Sequence, residues 1–267
     1  MIEPVERCFV EGLEPSHVGD QDCGAFHSLI FAPLSGQTQT GGMVRLMSEP
    51  TLTRDGEVFV INFGDDLNTT DHVWVGGMNA ALDEVEAADG PKVLITTGAG
   101  KHYSNGLDVE WMAGKDSADI ITYVNSVEKV LGRILAFPAP TVAAINGHAF
   151  GAGAFCLLAH DHAVMREDRG FVCWPEVHLG MGFSRGLLAM IQSLLSPSIA
   201  RDTVITGRRY GAADAVAAGF VDEAVSLDSL MSSALDRGLP HAATAESSVG
   251  LIKKQLHANA LAALGTG

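Results

Sequence analysis

The sequence predicts an α/β protein with mostly parallel strands, on three observations. Short runs of β-branched and small apolar residues, VLITTG from Val93 and TVAAI from Thr141, are each followed by a helix-like stretch. Glycine-bearing turns stand between strand and helix, in KHYSNGLDV (Lys101 to Val109) and INGHAFGAG (Ile145 to Gly153). Finally, the 267 residues are 47% hydrophobic and 18% charged, enough to bury a sizeable core in one large domain or one domain with an appendage.

Element by element, residues 1–48 show scattered Gly, Ser, Gln and Thr (LSGQTQTGG from Leu34), no sustained periodicity and no motif, and read as an N-terminal extension of unassigned role. EVFVINF (Glu57 to Phe63) alternates like a strand after a turn at Asp55-Gly56. Asp71 caps a helix running to about Ala88, with a stop at Gly90-Pro91. KVLITTG is a buried strand, followed by a long amphipathic helix from about Ser117 to Phe137. TVAAI is the next strand; AVM from Ala163 and FVCW from Phe171 are shorter ones. Further helices fall near 185–194, 198–205, 211–217 and 245–263, with no internal repeat.

Acids outnumber bases 32 to 17, for a net charge of −15. Such a surface repels nucleic acid and anionic lipid, so neither is an expected partner, and a ligand carrying phosphates needs a local basic patch. Cys8, Cys23, Cys156 and Cys173 form no CxxC pair and no disulfide framework. The last two sit in apolar runs, as expected of buried thiols in a reducing compartment. The acidic start MIEPVERC lacks a basic-plus-apolar leader, and no uncharged apolar run reaches the roughly 18–20 residues of a membrane span. The expected location is cytoplasmic.

A strand, a small-residue turn and a helix leave backbone N–H groups unpaired at the helix start. Two such turns facing one another form a donor pair for an oxygen that becomes negative during a reaction. RGFVCWPEVHLG (Arg169 to Gly180) ends a strand-like run with a lone acid, Glu176. Its apolar flank predicts partial burial, which raises a carboxyl pKa and suits it to proton transfer near neutrality. Two donors and one carboxylate are sufficient for enolate chemistry.

These segments, with LLAHDHAVMREDRGF and the later ITGRRYGAADAVAAGFVDEAV (Ile205 to Val225), resemble the crotonase (enoyl-CoA hydratase/isomerase) superfamily. The likeness is strongest to its Δ3,Δ2-enoyl-CoA isomerases, plant peroxisomal ones included. It covers about residues 50–225 well, the C-terminal helix loosely and residues 1–48 not at all. The resemblance implies a crotonase-like ββα spiral over 49–200, a helical C-terminal region over 201–267, and a homotrimer or hexamer. It implies an acyl-CoA thioester substrate, with coenzyme A part of that substrate and no separate cofactor. It also implies an oxyanion hole from the N–H groups of Leu107 and Ala152, Glu176 as acid/base, and Ser104, Asn105, Gly106, Gly151 and Phe155 around the substrate.

Two departures matter. Hydratases of the family resemble GGGCE where this chain reads AGAF, so Phe155 stands in place of a second glutamate that would handle water. A one-carboxylate site fits double-bond migration better than hydration. Many relatives also carry a base shortly after the first strand, where this chain has FGDDLNTT; Lys101, or Lys253 with Lys254, are the candidates to replace it.

Competing readings remain at several positions. Asp108 and Glu110 are more simply solvent-facing or capping residues. His148 is better explained by a structural hydrogen bond than by catalysis. His160, Asp161 and His162 tempt a metal assignment, but neighbours one and two apart do not converge on a helix and no distant third ligand is evident, so no metal is expected. Gly182-Phe183-Ser184-Arg185-Gly186 fits GxSxG, with Asp222 and His241 following, but HLGMG before it is a poor strand. The rivals to isomerisation are therefore a hydratase, a non-catalytic acyl-CoA-binding protein and a serine hydrolase.

Overall fold

The computed structural model describes residues 49–267; the expected extension over 1–48, with Cys8 and Cys23, lies outside them. β1 (Thr51–Asp55) and β2 (Val58–Asn62) form an antiparallel hairpin that turns at Gly56-Glu57, one residue after the expected Asp55-Gly56. TLTRD in β1 lacks apolar alternation, so only β2 is legible as a strand in the sequence. At α1 (His72–Ala87), Asp71 caps as expected, accepting from the Trp74 N–H at 2.8 Å. Its buried Trp74, Met78, Leu82 and Val85 recur at helical spacing and form one face.

Three units then repeat one plan of long strand, short strand and helix. β3 (Val93–Thr97) leads to β4 (His102–Ser104), the one-turn α2 (Val109–Met112) and α3 (Ser117–Leu135). β5 (Thr141–Ile145) leads to β6 (His148–Phe150) and α4 (Ala152–Leu158). β7 (His162–Arg166) leads to β8 (Val172–Cys173), a 3-10 turn (Glu176–Leu179) and α5 (Arg185–Leu194). α6 (Pro197–Thr206), α7 (Ala212–Ala218), β9 (Glu223–Val225), α8 (Leu227–Gly238), a 3-10 segment (Leu239–Glu246), α9 (Val249–Leu256) and α10 (Ala258–Ala263) follow. This is the ββα spiral, with a helical C-terminal region, that the resemblance implies.

The long strands make a six-stranded sheet, β1-β2-β3-β5-β7-β9, parallel except for the first hairpin. The short strands make a separate parallel sheet, β4-β6-β8. Every residue of β3 and β5 is buried because the large sheet is covered on both faces. The main core includes Phe63, Trp74, Leu131 and Phe155. On the other face, Leu230 and Ala234 of α8 pack on Val93, Ile95, Val142, Ala144 and Val164.

Two helical expectations need correction. α8 has no counterpart among them: its apolar residues have helical spacing, but Ser229, Ser232 and Ser233 dilute the pattern. The helix expected over 245–263 is instead broken into the 3-10 segment, α9 and α10, with the break at His257. Among the described residues, no helix is long and apolar enough to cross a membrane.

Candidate active site

The first turn leaves β4 at Ser104 and is held by side-chain hydroxyls. Ser104 Oγ donates to the Asn68 carbonyl at 2.7 Å and accepts from the Gly106 N–H at 3.3 Å. The Gly106 carbonyl accepts from the Thr70 N–H, and the Asn105 N–H donates to the Leu67 carbonyl. Beyond the turn, Asp108 caps α2 by accepting from the Trp111 N–H, while its own N–H donates to Tyr123 Oη at 2.9 Å. The Leu107 N–H has no acceptor among the described residues.

The second turn leaves β6 and starts α4. Gly151 has φ 49° and ψ −120°, a conformation side chains exclude, and its N–H donates to the Cys173 carbonyl at 3.0 Å. The next N–H, that of Ala152, opens the helix and likewise has no acceptor among the described residues. The two turns touch. A Cβ on Gly106 (φ 85°) would lie 2.6 Å from the Phe150 carbonyl oxygen and 3.0 Å from the Ala152 nitrogen, so only glycine permits this approach.

Glu176 reaches the same place from β8. It opens the 3-10 turn, which Gly180 ends in the left-handed conformation. Its Oε1 lies 3.8 Å from where a Gly151 Cβ would stand. Its Oε2 is buried without a hydrogen-bond partner among the described residues. Loss of water pushes the carboxyl pKa up to about 7, so near neutrality it can accept or deliver a proton. The structure thus brings Ser104, Asn105, Gly106, Leu107, Gly151, Ala152 and Glu176 into one neighbourhood.

Phe155, one turn along α4, is fully buried and meets Trp174 and Phe183 edge-on, at centroid distances of 6.1 and 6.0 Å. Lys101 has an exposed side chain, and its carbonyl accepts from the His148 N–H. Lys253 must be withdrawn as a phosphate candidate: it is buried, donating to Asp161 Oδ2 at 2.5 Å and to the Ala139 carbonyl at 2.6 Å. The His-Asp-His run has separate tasks: His160 bonds Thr96, Asp161 holds Lys253, and His162 faces Asp222 at 3.4 Å. Ser184 caps α5, accepting from the Leu187 N–H at 3.0 Å, which is a structural role for the GxSxG serine.

Several residues that build the site carry no motif in the sequence. Asn68 holds a left-handed φ of 51° and donates from Nδ2 to the carbonyls of Gly64 and His102, tying the loop before α1 to β4. Tyr123, nineteen-residue α3's link to the first turn, donates to the Thr70 carbonyl. Glu128 on the same helix is a second buried acid, its pKa raised by loss of water, with a Ser184 hydrogen bond opposing the rise. Only the three-dimensional approach of distant segments gives these side chains their tasks.

The chain is similar to enoyl-CoA delta isomerase 3 of Arabidopsis thaliana, 33% identical over 180 residues (65% of this chain, 76% of that one). It is similar to a carnitinyl-CoA dehydratase of Salmonella enteritidis, 36% identical over 144 residues and covering 54% of each. Among solved structures, a probable enoyl-CoA hydratase from Mycobacterium tuberculosis H37Rv superposes with a TM-score of 0.76 at 26% identity, covering 82% of this chain and 92% of the other. An apo structure of that same mycobacterial protein, there described as an enoyl-CoA isomerase, gives a TM-score of 0.75 at 26% identity, covering 82% and 95%. The family model for enoyl-CoA hydratase/isomerase matches residues 53–266, and the chain belongs to that family.

Proposed function

We propose that this protein is an enoyl-CoA isomerase that moves the double bond of a 3-enoyl-CoA to the 2-position, with Glu176 as the one proton carrier. The observation that carries the reading is the Glu176 carboxyl itself: one oxygen buried without a partner, the other beside Gly151, and a pKa near 7. Family membership and the similarity to plant enoyl-CoA delta isomerases support the same reading.

The ionised carboxylate takes a proton from the α carbon of the thioester. The C–H electron pair moves into a dienolate whose negative charge sits on the thioester oxygen. The N–H groups of Leu107 and Ala152 stabilise that oxygen; a single donor of this kind contributes about 3–4 kcal/mol. The carboxylic acid then delivers the same proton to the γ carbon, and the electrons settle as the conjugated 2-enoyl thioester. Ser104, Asn105, Gly106 and Gly151 surround the thioester, Phe155 backs the site, and Lys101 lies at the coenzyme end. No cofactor beyond the substrate's own coenzyme A takes part. In this reading residues 49–200 carry the spiral, 201–267 the helical region, and the protein works as a cytoplasmic trimer or hexamer.

A second reading, an enoyl-CoA hydratase, draws support from the dehydratase relative and from the mycobacterial protein described both as a hydratase and as an isomerase. Phe155 argues against it, since an apolar ring there cannot activate water. Glu176→Gln should leave the fold intact and cut turnover of a 3-enoyl-CoA by about 10²–10⁴-fold. Unchanged turnover in that variant, or wild-type hydration of a 2-enoyl-CoA faster than double-bond migration, rejects the isomerase.

A further inference from the structure

Beneath the two donor turns lies a closed ring of buried polar groups that the proposed chemistry does not use. His160 Nδ1 is 2.7 Å from the Cys156 carbonyl, and His160 Nε2 is 2.9 Å from Thr96 Oγ1. Thr96 Oγ1 is 2.7 Å from Tyr103 Oη, which lies 3.6 Å from Cys156 Sγ. Tyr103, Cys156 and Thr96 are fully buried, and His160 nearly so.

Donor and acceptor roles follow from elementary chemistry. A carbonyl oxygen only accepts, so His160 Nδ1 carries a hydrogen. Burial lowers the His160 pKa to about 4, which keeps the ring neutral and leaves a lone pair on Nε2. Thr96 therefore donates to Nε2. With its single hydrogen spent, Thr96 Oγ1 accepts from Tyr103 Oη–H, and the tyrosine oxygen accepts from the Cys156 thiol. The ring runs in one direction, starting at the Cys156 side chain and closing on the Cys156 carbonyl.

Its members sit where the donors need support. Cys156 is one helical turn beyond Ala152 on α4. Tyr103 precedes Ser104, whose hydroxyl holds the Gly106 N–H. Thr96 joins the two from β3 of the large sheet.

We propose that Tyr103, Thr96 and His160 are positioning residues that fix the separation of the Leu107 and Ala152 N–H groups by clamping β4 to α4. The catalytic part of this rests on the isomerase reading; the structural part does not. Both donors must approach one oxygen at hydrogen-bond distance, and a misplacement of about 1 Å can cost about 100-fold in rate.

The test combines kcat and KM for a 3-enoyl-CoA with amide hydrogen exchange at Asn105 and Gly151, one in each turn, whose N–H groups hold the turns to the Leu67 and Cys173 carbonyls. Tyr103→Phe and Thr96→Val should each lower kcat at least ~10-fold with KM changed less than ~3-fold, and should speed exchange at both amides. Thr96→Ser, which keeps the hydroxyl, should retain about half of kcat or more and near wild-type exchange. Cys156→Ala opens the ring at its weakest bond and should give a milder loss, about 2–5-fold, in a variant expected to keep its packing. Unchanged exchange in Tyr103→Phe and Thr96→Val overturns the clamp, as does a Thr96→Ser loss equal to that of Thr96→Val. A wild-type protein inert toward 3-enoyl-CoA overturns the isomerase reading alone, and the exchange measurements still decide the clamp.

Discussion

Glu176 and Glu128 are both acids deprived of water, each with one oxygen lacking a partner among the described residues, and both have raised pKa values. Their surroundings separate them. Glu176 opens a short 3-10 turn beside Gly151 and the unpaired Ala152 N–H. Glu128 sits inside α3, only 6% exposed, with Oε2 2.6 Å from where a Gly186 Cβ would stand in α5, a spot that Leu264 after α10 also borders. Burial makes each carboxyl harder to ionise; main-chain donors beside Glu176 can stabilise the anion that forms when it takes a proton. By this comparison Glu176 belongs to the reaction and Glu128 to the packing of α3 against α5 and α10.

The sharpest way to break the comparison is to neutralise each acid in turn. Where Glu176→Gln should lose about 10²–10⁴-fold in kcat, Glu128→Gln should stay within about 3-fold of wild type. Steady-state assays on the two purified variants decide this, and a large loss in Glu128→Gln would move that acid into the mechanism.

Next in size is the wall between Glu176 and the donors. Gly151→Ala places a side chain at φ 49°, within 3.8 Å of Glu176 Oε1. Backbone strain of this kind costs about 1–3 kcal/mol, and kcat should fall at least ~10-fold. Gly180→Ala, with a φ of 63° but open space around it, should show the strain in thermal melts with a smaller change in kcat.

The smallest effects are in pH dependence. A base must be ionised to take the α proton, so kcat/KM should rise with pH through about 7 and then level off, with the rise governed by Glu176. Stability should run the other way. A carboxyl raised from 4.5 to about 7 in the folded state favours folding fully below about pH 4.5, and that contribution is lost as pH rises through 7. Allowing for partial exposure, Glu176→Gln should therefore be more stable than wild type by about 1–2 kcal/mol at about pH 8, with the gain disappearing at about pH 4. Denaturant melts at the two pH values check the sign. Glu128→Gln should shift in the same direction, since its carboxyl is also raised.

Much of this arrangement is legible in the sequence. Asp71 and the strands at Val93 and Thr141 announce themselves by local pattern, and the glycine turns mark where the donors lie. Glu176 stands out as the lone acid after an apolar run. Residues whose role comes from distant partners are silent. Thr96 reads as one more β-branched strand residue, His160 as part of a metal-like His-Asp-His cluster, and Lys253 as a candidate for the coenzyme phosphates, yet each is buried against a segment far away in the chain. The short strands β4 and β6 are equally hard to find, being three residues each and defined by their mutual pairing.

The Lys253–Asp161 contact also bears on truncation of the chain. Asp161 Oδ2 accepts from the Thr141 N–H at 2.7 Å and the Thr141 hydroxyl at 3.0 Å while meeting Lys253 at 2.5 Å. The acid that holds the start of a central strand of the large sheet is thus paired with a cation contributed 92 residues after it. A chain cut before residue 253 would therefore leave Asp161 without this cation.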